Sequence, residues 1–312
     1  MKILITGGAG FIGINLTIKL LQSGHKIILA DNFITSEREK LTVLKNKKNW
    51  KFVETDISRQ LPNSIRGEKF DQIYHLACPT GVPNLTRLAE EMLLTCSYGT
   101  RNILELARIN KAAFLLTSSS EVYGDPKETP QSEEYSGNVD CTGIRSPYEE
   151  GKRFAESLTV AYFRKYHLNC RIVRIFNTYG PYMSSNDERV IPRFIAQASS
   201  GKMLTVQDGR QKRTFCFVDD LINGLILAMN KGKACEVYNI GSDKAITIDK
   251  LAQLILKISE SRSKIRYIKR PTHDHQERMP DLAKISKLGF KNTNTLREGL
   301  RKTLAHVNHR LS

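Results

Sequence analysis

Along the chain, short unbroken apolar runs alternate with stretches whose apolar residues recur every three or four positions. Lys2-Ile3-Leu4-Ile5 reads as a buried strand, and Ile14, Leu16, Ile18, Leu20 and Leu21 mark one face of a helix that stops at Gly24. Lys26-Ile27-Ile28-Leu29-Ala30 is a second strand ending at Asp31, Lys51 to Thr55 a third, and Gln72 to Ala77 a fourth. A helix from about Leu88 to Asn110 leads to a fifth strand at Ala113-Phe114-Leu115-Leu116. Another helix opens at Ser146-Pro147, and Cys170 to Ile175 is a sixth strand. Strands that are apolar on both faces and separated by helices predict an α/β fold with a doubly wound parallel sheet. Beyond Asn177 the segments shorten, with turns at Gly201, Asp208-Gly209, Gly241 and Gly289. We therefore divide the chain into a sheet domain, 1–177, and a smaller C-terminal α/β substrate lobe, 178–312, some of whose segments return to the first domain.

The first strand runs into Thr6-Gly7-Gly8-Ala9-Gly10-Phe11-Ile12-Gly13 and then into the first helix. In that setting Gly7 allows the tight turn, Gly10 lets backbone approach a pyrophosphate, and Gly13 lets helix pack closely on sheet. The context makes the sheet Rossmann-type and the ligand a dinucleotide. Asp31, at the end of the second strand, is placed for ribose hydroxyls and would repel a 2'-phosphate, so NAD is expected rather than NADP. Asp56, after the third strand, is expected near the adenine. The candidate cofactor set is Gly7, Gly10, Phe11, Ile12, Gly13, Asp31, Asn32, Asp56, Ile57, Leu76 and Ala77, with Tyr148 and Lys152 at the reacting end.

Tyr148 and Lys152 are four residues apart, so on a helix they share a face. An ammonium about 4 to 5 Å from the phenol at an effective dielectric near 20 is worth roughly 3 to 4 kcal/mol, or about two to three pKa units. That predicts a tyrosinate usable as a base near neutral pH. Of the serines closing the fifth strand, Ser119 is the expected partner on the same substrate oxygen. His75, between Tyr74 and Leu76 on a buried strand, reads as structural. Arg189, Arg213 and Arg278, near turn signals in the lobe, are candidates to hold a diphosphate by forked hydrogen bonds.

Composition narrows the setting. The chain is 40% hydrophobic, as a globular protein is, and holds no apolar run long enough to span a membrane. A strand beginning at Lys2 leaves no room for a targeting segment, so a cytoplasmic location is expected. Six cysteines without a C-x-x-C pair fit reduced thiols and no metal site. The net charge of +16 invites a nucleic-acid reading. The basic stretches, Lys45 to Lys48 and Arg262 to Arg270, belong to no recognisable nucleic-acid module; a solvated surface, or an anionic substrate, accounts for them.

Together, the glycine turn, Ser120-Glu121-Val122-Tyr123-Gly124-Asp125-Pro126, Tyr148-Glu149-Glu150-Gly151-Lys152-Arg153, Arg174 to Pro181, Asn186 to Val190 and Arg278-Met279-Pro280-Asp281 resemble the extended short-chain dehydrogenase/reductases that act on nucleotide sugars. The resemblance covers nearly the whole chain and is strongest to the branch that decarboxylates UDP-glucuronic acid to UDP-xylose through a 4-keto intermediate. It implies tightly held NAD, a homodimer and a UDP-sugar substrate. It further implies a catalytic set in which Ser119 assists Tyr148 and Lys152, Ser120 and Glu121 face the sugar carboxylate, and Arg278 contacts the substrate and helps in protonation. Arg213 would hold the diphosphate and Asn177 the nucleotide or sugar. Dehydratases of the TDP-glucose type usually carry Asp where Ser120 stands, and hexose 4-epimerases a small or neutral residue where Glu121 stands. A nucleotide-sugar 4-epimerase, a uronate epimerase included, a 4,6-dehydratase and a non-catalytic NAD-binding regulatory protein are the alternatives. Four features depart from the family pattern: Cys96 in place of an Asn, Leu85 in place of a Tyr, Tyr182 in place of an Arg, and a shortened loop before Arg213. The expected dimer face includes Leu93, Leu94, Phe154, Leu158, Ala161 and Tyr162.

Overall fold

In the computed structural model, residues 1–184, 187–269 and 277–311 are described. Asn186 of the family-like run and Arg270 at the end of the second basic stretch lie outside them. Strands β1 (Lys2–Thr6), β2 (Lys26–Asp31), β3 (Trp50–Glu54), β4 (Gln72–His75), β5 (Ala113–Ser119) and β6 (Cys170–Ile175) form one parallel sheet. A seventh strand, Glu236–Ile240, pairs with β6, so the order from edge to edge is this strand, β6, β5, β4, β1, β2, β3. The order reverses beside β1, and the chains leaving the carboxyl ends of β1 and β4 pass to helices on opposite faces of the sheet, which leaves a crevice there.

Period-two burial explains why the sheet is covered on both sides. Ile3, Ile5, Ile27 and Leu29 join one core cluster, while Leu4, Ile28, Ile73 and Phe114 join the other. The first cluster takes in helix α1 (Phe11–Gln22) through Ile14, Leu16 and Leu20, and Val218–Lys231 through Leu221 and Leu225. The second takes in Ile103, Leu104 and Ala107 of Thr100–Asn110, and Ala155 of helix α2 (Ser146–Tyr166).

Sequence and structure differ at instructive places. β5 continues past Leu116 through Thr117-Ser118-Ser119, because the Thr117 hydroxyl finds the His75 carbonyl at 3.0 Å and can be buried. The expected helix over 88–110 is three pieces, Ala89–Leu94, a π turn at Thr95–Gly99, and Thr100–Asn110. Of the segments after residue 177, Glu236–Ile240 supplies the edge strand of the main sheet, a segment that the sequence did not locate. Beyond that sheet, Lys212–Thr214 lies between Ala245–Thr247 and Glu277–Arg278, with Arg213 and Arg278 in register. That register carries both arginines toward the crevice. Among the described residues no helix is long and apolar enough to cross a membrane.

Candidate active site

A cleft of about 860 Å³ opens along the carboxyl ends of the strands. Gly7, Gly10, Phe11, Ile12, Gly13, Asp31, Asn32, Asp56, Ile57, Leu76 and Ala77 line one arm. Ser119, Ser120, Glu121, Tyr148, Lys152, Asn177, Arg189, Arg213 and Arg278 line the other. The candidate cofactor, catalytic and substrate residues thus border one space.

The first arm fits a dinucleotide. Gly7 has φ +69°, and a Cβ there would stand 2.8 Å from the Ala77 amide nitrogen. A Cβ on Gly13 would stand 2.3 Å from the Gly7 carbonyl oxygen, so helix and turn can touch only through glycine. Gly10 caps α1, whose first amides face the cleft with no earlier carbonyl to bond. Asp31 is fixed in place: Ala9 N–H donates to Oδ2 at 3.0 Å, and Phe33 N–H and the Ser36 hydroxyl donate to Oδ1 at 2.9 and 2.8 Å. Asp56 is held similarly, accepting from the Ser58 amide and hydroxyl at 2.9 and 2.7 Å. Gly13→Ala is expected to lower both the melting temperature and the affinity for NAD measured by titration calorimetry; wild-type values for both would refute the close-packing account.

At the reacting end, α2 delivers Tyr148 and Lys152 to the same face, with the ammonium 5.9 Å from the phenol ring centroid. Lys152 Nζ donates to the Thr117 carbonyl at 2.8 Å, which anchors it to β5. The Ser119 hydroxyl lies on the Tyr148 side of the cleft and accepts from the Glu121 amide at 3.2 Å. The expected lowering of the phenol does not occur. Burial pushes Tyr148 up to about 12; Lys152 and the nearby Ser119 hydroxyl pull it down by less, and Cys78 and Glu121 add to the rise. The four-residue spacing reports the ammonium but not the burial that opposes it. His75 is structural, as read: it is buried between the hydroxyls of Thr6, 2.7 Å away, and Thr100, 3.0 Å away. Burial, reinforced by the Lys152 charge, lowers it to about 3 and keeps it neutral.

The sequence did not reveal the ionic cluster that closes the end of the cleft. Glu121 Oε2 accepts from Arg145 Nη2 at 2.5 Å and from Arg278 Nη2 at 3.1 Å, and Oε1 accepts from Arg278 Nη1. Arg145 Nε also donates to Glu149 at 3.2 Å. Burial disfavours the charged form of Glu121, but Arg278 and then Arg145 outweigh it and hold the carboxyl well below its ordinary range. Arg278 is 5% exposed and gives a further bond to the Gly124 carbonyl at 3.1 Å. Arg145 went unnoticed in the sequence; the one signal that could have marked it is its place three residues before Tyr148 at the N-terminus of α2.

The lobe arginines differ in their engagements. Arg189 makes a forked pair with Asp187, Nε to Oδ1 at 2.9 Å and Nη2 to Oδ2 at 2.5 Å. Arg213 borders the cleft and donates to the Lys212 carbonyl at 2.9 Å. Leu85 is buried in the cleft wall, whereas Tyr182 packs edge-on against His306, 4.4 Å between centroids, and does not line the cleft. Among the described residues no group of three or more His, Cys, Asp or Glu side chains could hold a metal ion.

The sequence profile described as GDP-mannose 4,6 dehydratase matches residues 4–303. UDP-glucuronic acid decarboxylase 1 of Danio rerio is 41% identical over 312 residues, covering 99% of this chain and 73% of that protein. The chain belongs to the extended short-chain dehydrogenase/reductases that act on nucleotide sugars. Solved members of this family share the fold throughout. UDP-glucose 4-epimerase from Thermotoga maritima, with UDP-glucose, matches with TM-score 0.91 and 27% identity, covering 100% of both chains. UDP-glucuronic acid 4-epimerase from Bacillus cereus, in complex with UDP-glucuronic acid and NAD, matches with TM-score 0.89 and 28% identity, over 99% of this chain and 100% of that one. These epimerases and the decarboxylase relative set the family beside more than one reaction, so the reaction must be argued from the residues of the cleft.

Proposed function

We propose that the chain is a UDP-glucuronic acid decarboxylase that forms UDP-xylose with NAD. The observation that carries this reading is the 41% identity to a decarboxylase over nearly the whole chain. NAD, held by the glycine turn, Asp31, Asn32, Asp56 and Ile57, supplies a reversible acceptor for the hydrogen on the sugar C4. The chain's own side chains do the rest. Ser119 and Tyr148 hold the C4 hydroxyl, and Tyr148 takes its proton while Lys152 offsets the charge that develops on the phenol. The C4 ketone then lies beta to the C6 carboxylate, and loss of CO2 leaves an electron pair that the ketone absorbs as an enolate. Protonation at C5 and reduction at C4 complete the pentose.

The ionic cluster suits that step. Arg145 and Arg278 are matched by Glu121 and Glu149, so this end of the cleft has no excess positive charge among these four side chains. An excess would stabilise the substrate carboxylate, whose charge must leave it as CO2 departs, and would raise the barrier. Ser120, Glu121 and Arg278 bound this end, Asn177 and Arg213 serve the nucleotide and diphosphate, and Asp187 orients Arg189 toward the same task. The test is incubation with UDP-glucuronic acid and NAD, the product read by mass spectrometry and proton NMR. Loss of CO2 with a pentose product is expected; unchanged mass with C4 inverted would make the protein a uronate 4-epimerase instead.

The working unit is proposed to be a homodimer. Leu93 and Phe154 are 44% and 51% exposed yet share one groove with Ser97, Glu150 and Gly151 on neighbouring helices, and Tyr98 close by is 58% exposed. Large exposed apolar side chains gathered on one face call for a partner. Sedimentation should give twice the 35.4 kDa chain mass, and Phe154→Glu should return it to the monomer; a monomeric wild type would end the proposal.

A further inference from the structure

Two cysteines meet in the wall of the cleft. Cys78 lies just past β4 in a segment without regular structure, half-buried and bordering the cleft. Cys96 is 2% exposed in the π turn, and the two Sγ atoms are 3.5 Å apart. Cys96 Sγ also stands 3.3 Å from where a Cβ on Gly151 would be, so it packs directly on α2 beside Lys152. The thiols are not equivalent. Hydrogen bonding from Cys96 and the charge of Lys152 outweigh burial and lower Cys78 to about 7, while Cys96 is raised by the same hydrogen bond and by burial. One sulfur is therefore the nucleophile and the other its resolving partner.

We propose that Cys78 and Cys96 are an oxidation-sensitive dithiol, closed to a disulfide by hydroperoxides, and that closure stops turnover. In the first step the Cys78 thiolate attacks one oxygen of hydrogen peroxide. The O–O bond breaks, hydroxide leaves, and Cys78 becomes a sulfenic acid. In the second step the Cys96 sulfur attacks the Cys78 sulfur. The S–O bond breaks, water leaves with the Cys96 proton, and the S–S bond forms, so peroxide takes up the two electrons that the thiols lose. The sulfurs must then close from 3.5 Å to about 2.05 Å. Cys96 is boxed against α2, so the movement falls on the irregular segment at Cys78 and draws with it Leu76 and Ala77, which border the cofactor arm.

The experiment treats the purified full chain with hydrogen peroxide after removal of reductant. Intact mass, alkylation with peptide mapping, and turnover of UDP-glucuronic acid are then followed. A loss of two hydrogens and one cross-linked pair of peptides containing Cys78 and Cys96 are expected. Turnover should fall by about 10²-fold, the order expected of a 1 Å misplacement, and recover with dithiothreitol. In Cys96→Ser the same treatment should add oxygen at Cys78 and form no cross-link, and Cys141→Ser, at an exposed cysteine, should respond as the wild type does. Cys78 and Cys96 still open to alkylation after peroxide would overturn the proposal, as would a formed cross-link with undiminished turnover. The turnover arm rests on the decarboxylase reading, but the mass and mapping arms do not, so failure of the dithiol and failure of the substrate assignment are told apart.

Discussion

Tyr148→Phe is expected to leave the fold intact and to lower turnover of UDP-glucuronic acid by about 10²- to 10⁴-fold, the range attached to a lost general acid–base group. The substitution removes one oxygen and keeps the ring against which Lys152 is placed. An unchanged melting temperature with a collapsed kcat separates a chemical loss from a folding one. Turnover at the original rate would remove Tyr148 from the mechanism. The phenol stands at about 12, so the fraction ionised grows with pH throughout the neutral range, and the wild-type rate should rise with pH until another step limits it. Lys152 opposes the rise caused by burial. Lys152→Met should therefore displace the rate profile toward higher pH as well as lower it; a profile that falls without shifting would mean that Lys152 does not act on the phenol.

The second large effect is on stability. Glu121→Ala leaves Arg145 and Arg278 facing one another, part-buried, without the carboxylate that both address. Removing one partner from such a buried cluster costs about 3 to 5 kcal/mol, mostly as the penalty of the unmatched charge left behind. Denaturant unfolding should show this loss in full, with a smaller one for Glu121→Gln, which keeps the shape and part of the hydrogen bonding. A Glu121→Ala protein as stable as the wild type would show that the arginines find other partners. The pH dependence has a definite sign. The Glu121 carboxyl is depressed in the folded state, so its contribution is fully present above the ordinary carboxylate range and is lost as pH falls through the depressed value. Glu121→Gln should accordingly unfold with less sensitivity to acid.

The parts of the fold set by local pattern were legible, and those set by distant pairing were not. Cys170–Ile175 stands where its apolar run placed it, and the strand–glycine turn–helix unit at the N-terminus needs only neighbours to form. The strand at Glu236–Ile240 was missed as a member of the main sheet because only its pairing with β6, more than sixty residues earlier, identifies it. The π turn at Thr95–Gly99 adds a local irregularity that apolar periodicity does not register. In the cleft, Tyr148 and Lys152 were found because four residues on one helix fix a geometry. Arg145 and Cys78 were not found, because the groups that give them meaning, Glu121 and Cys96, are brought near only by the fold. The phenol was misjudged for the same reason, since a spacing reports a neighbouring charge but not the burial that opposes it.

The central claim is that this cleft removes CO2 from a C4-oxidised uronate and then protonates C5. The most direct test runs the reaction on UDP-glucuronic acid in D2O and locates the label by NMR. The account predicts a pentose carrying one solvent deuteron at C5, with the original hydrogen retained at C4. A product that keeps its carboxylate, or a pentose with no deuterium at C5, would contradict it.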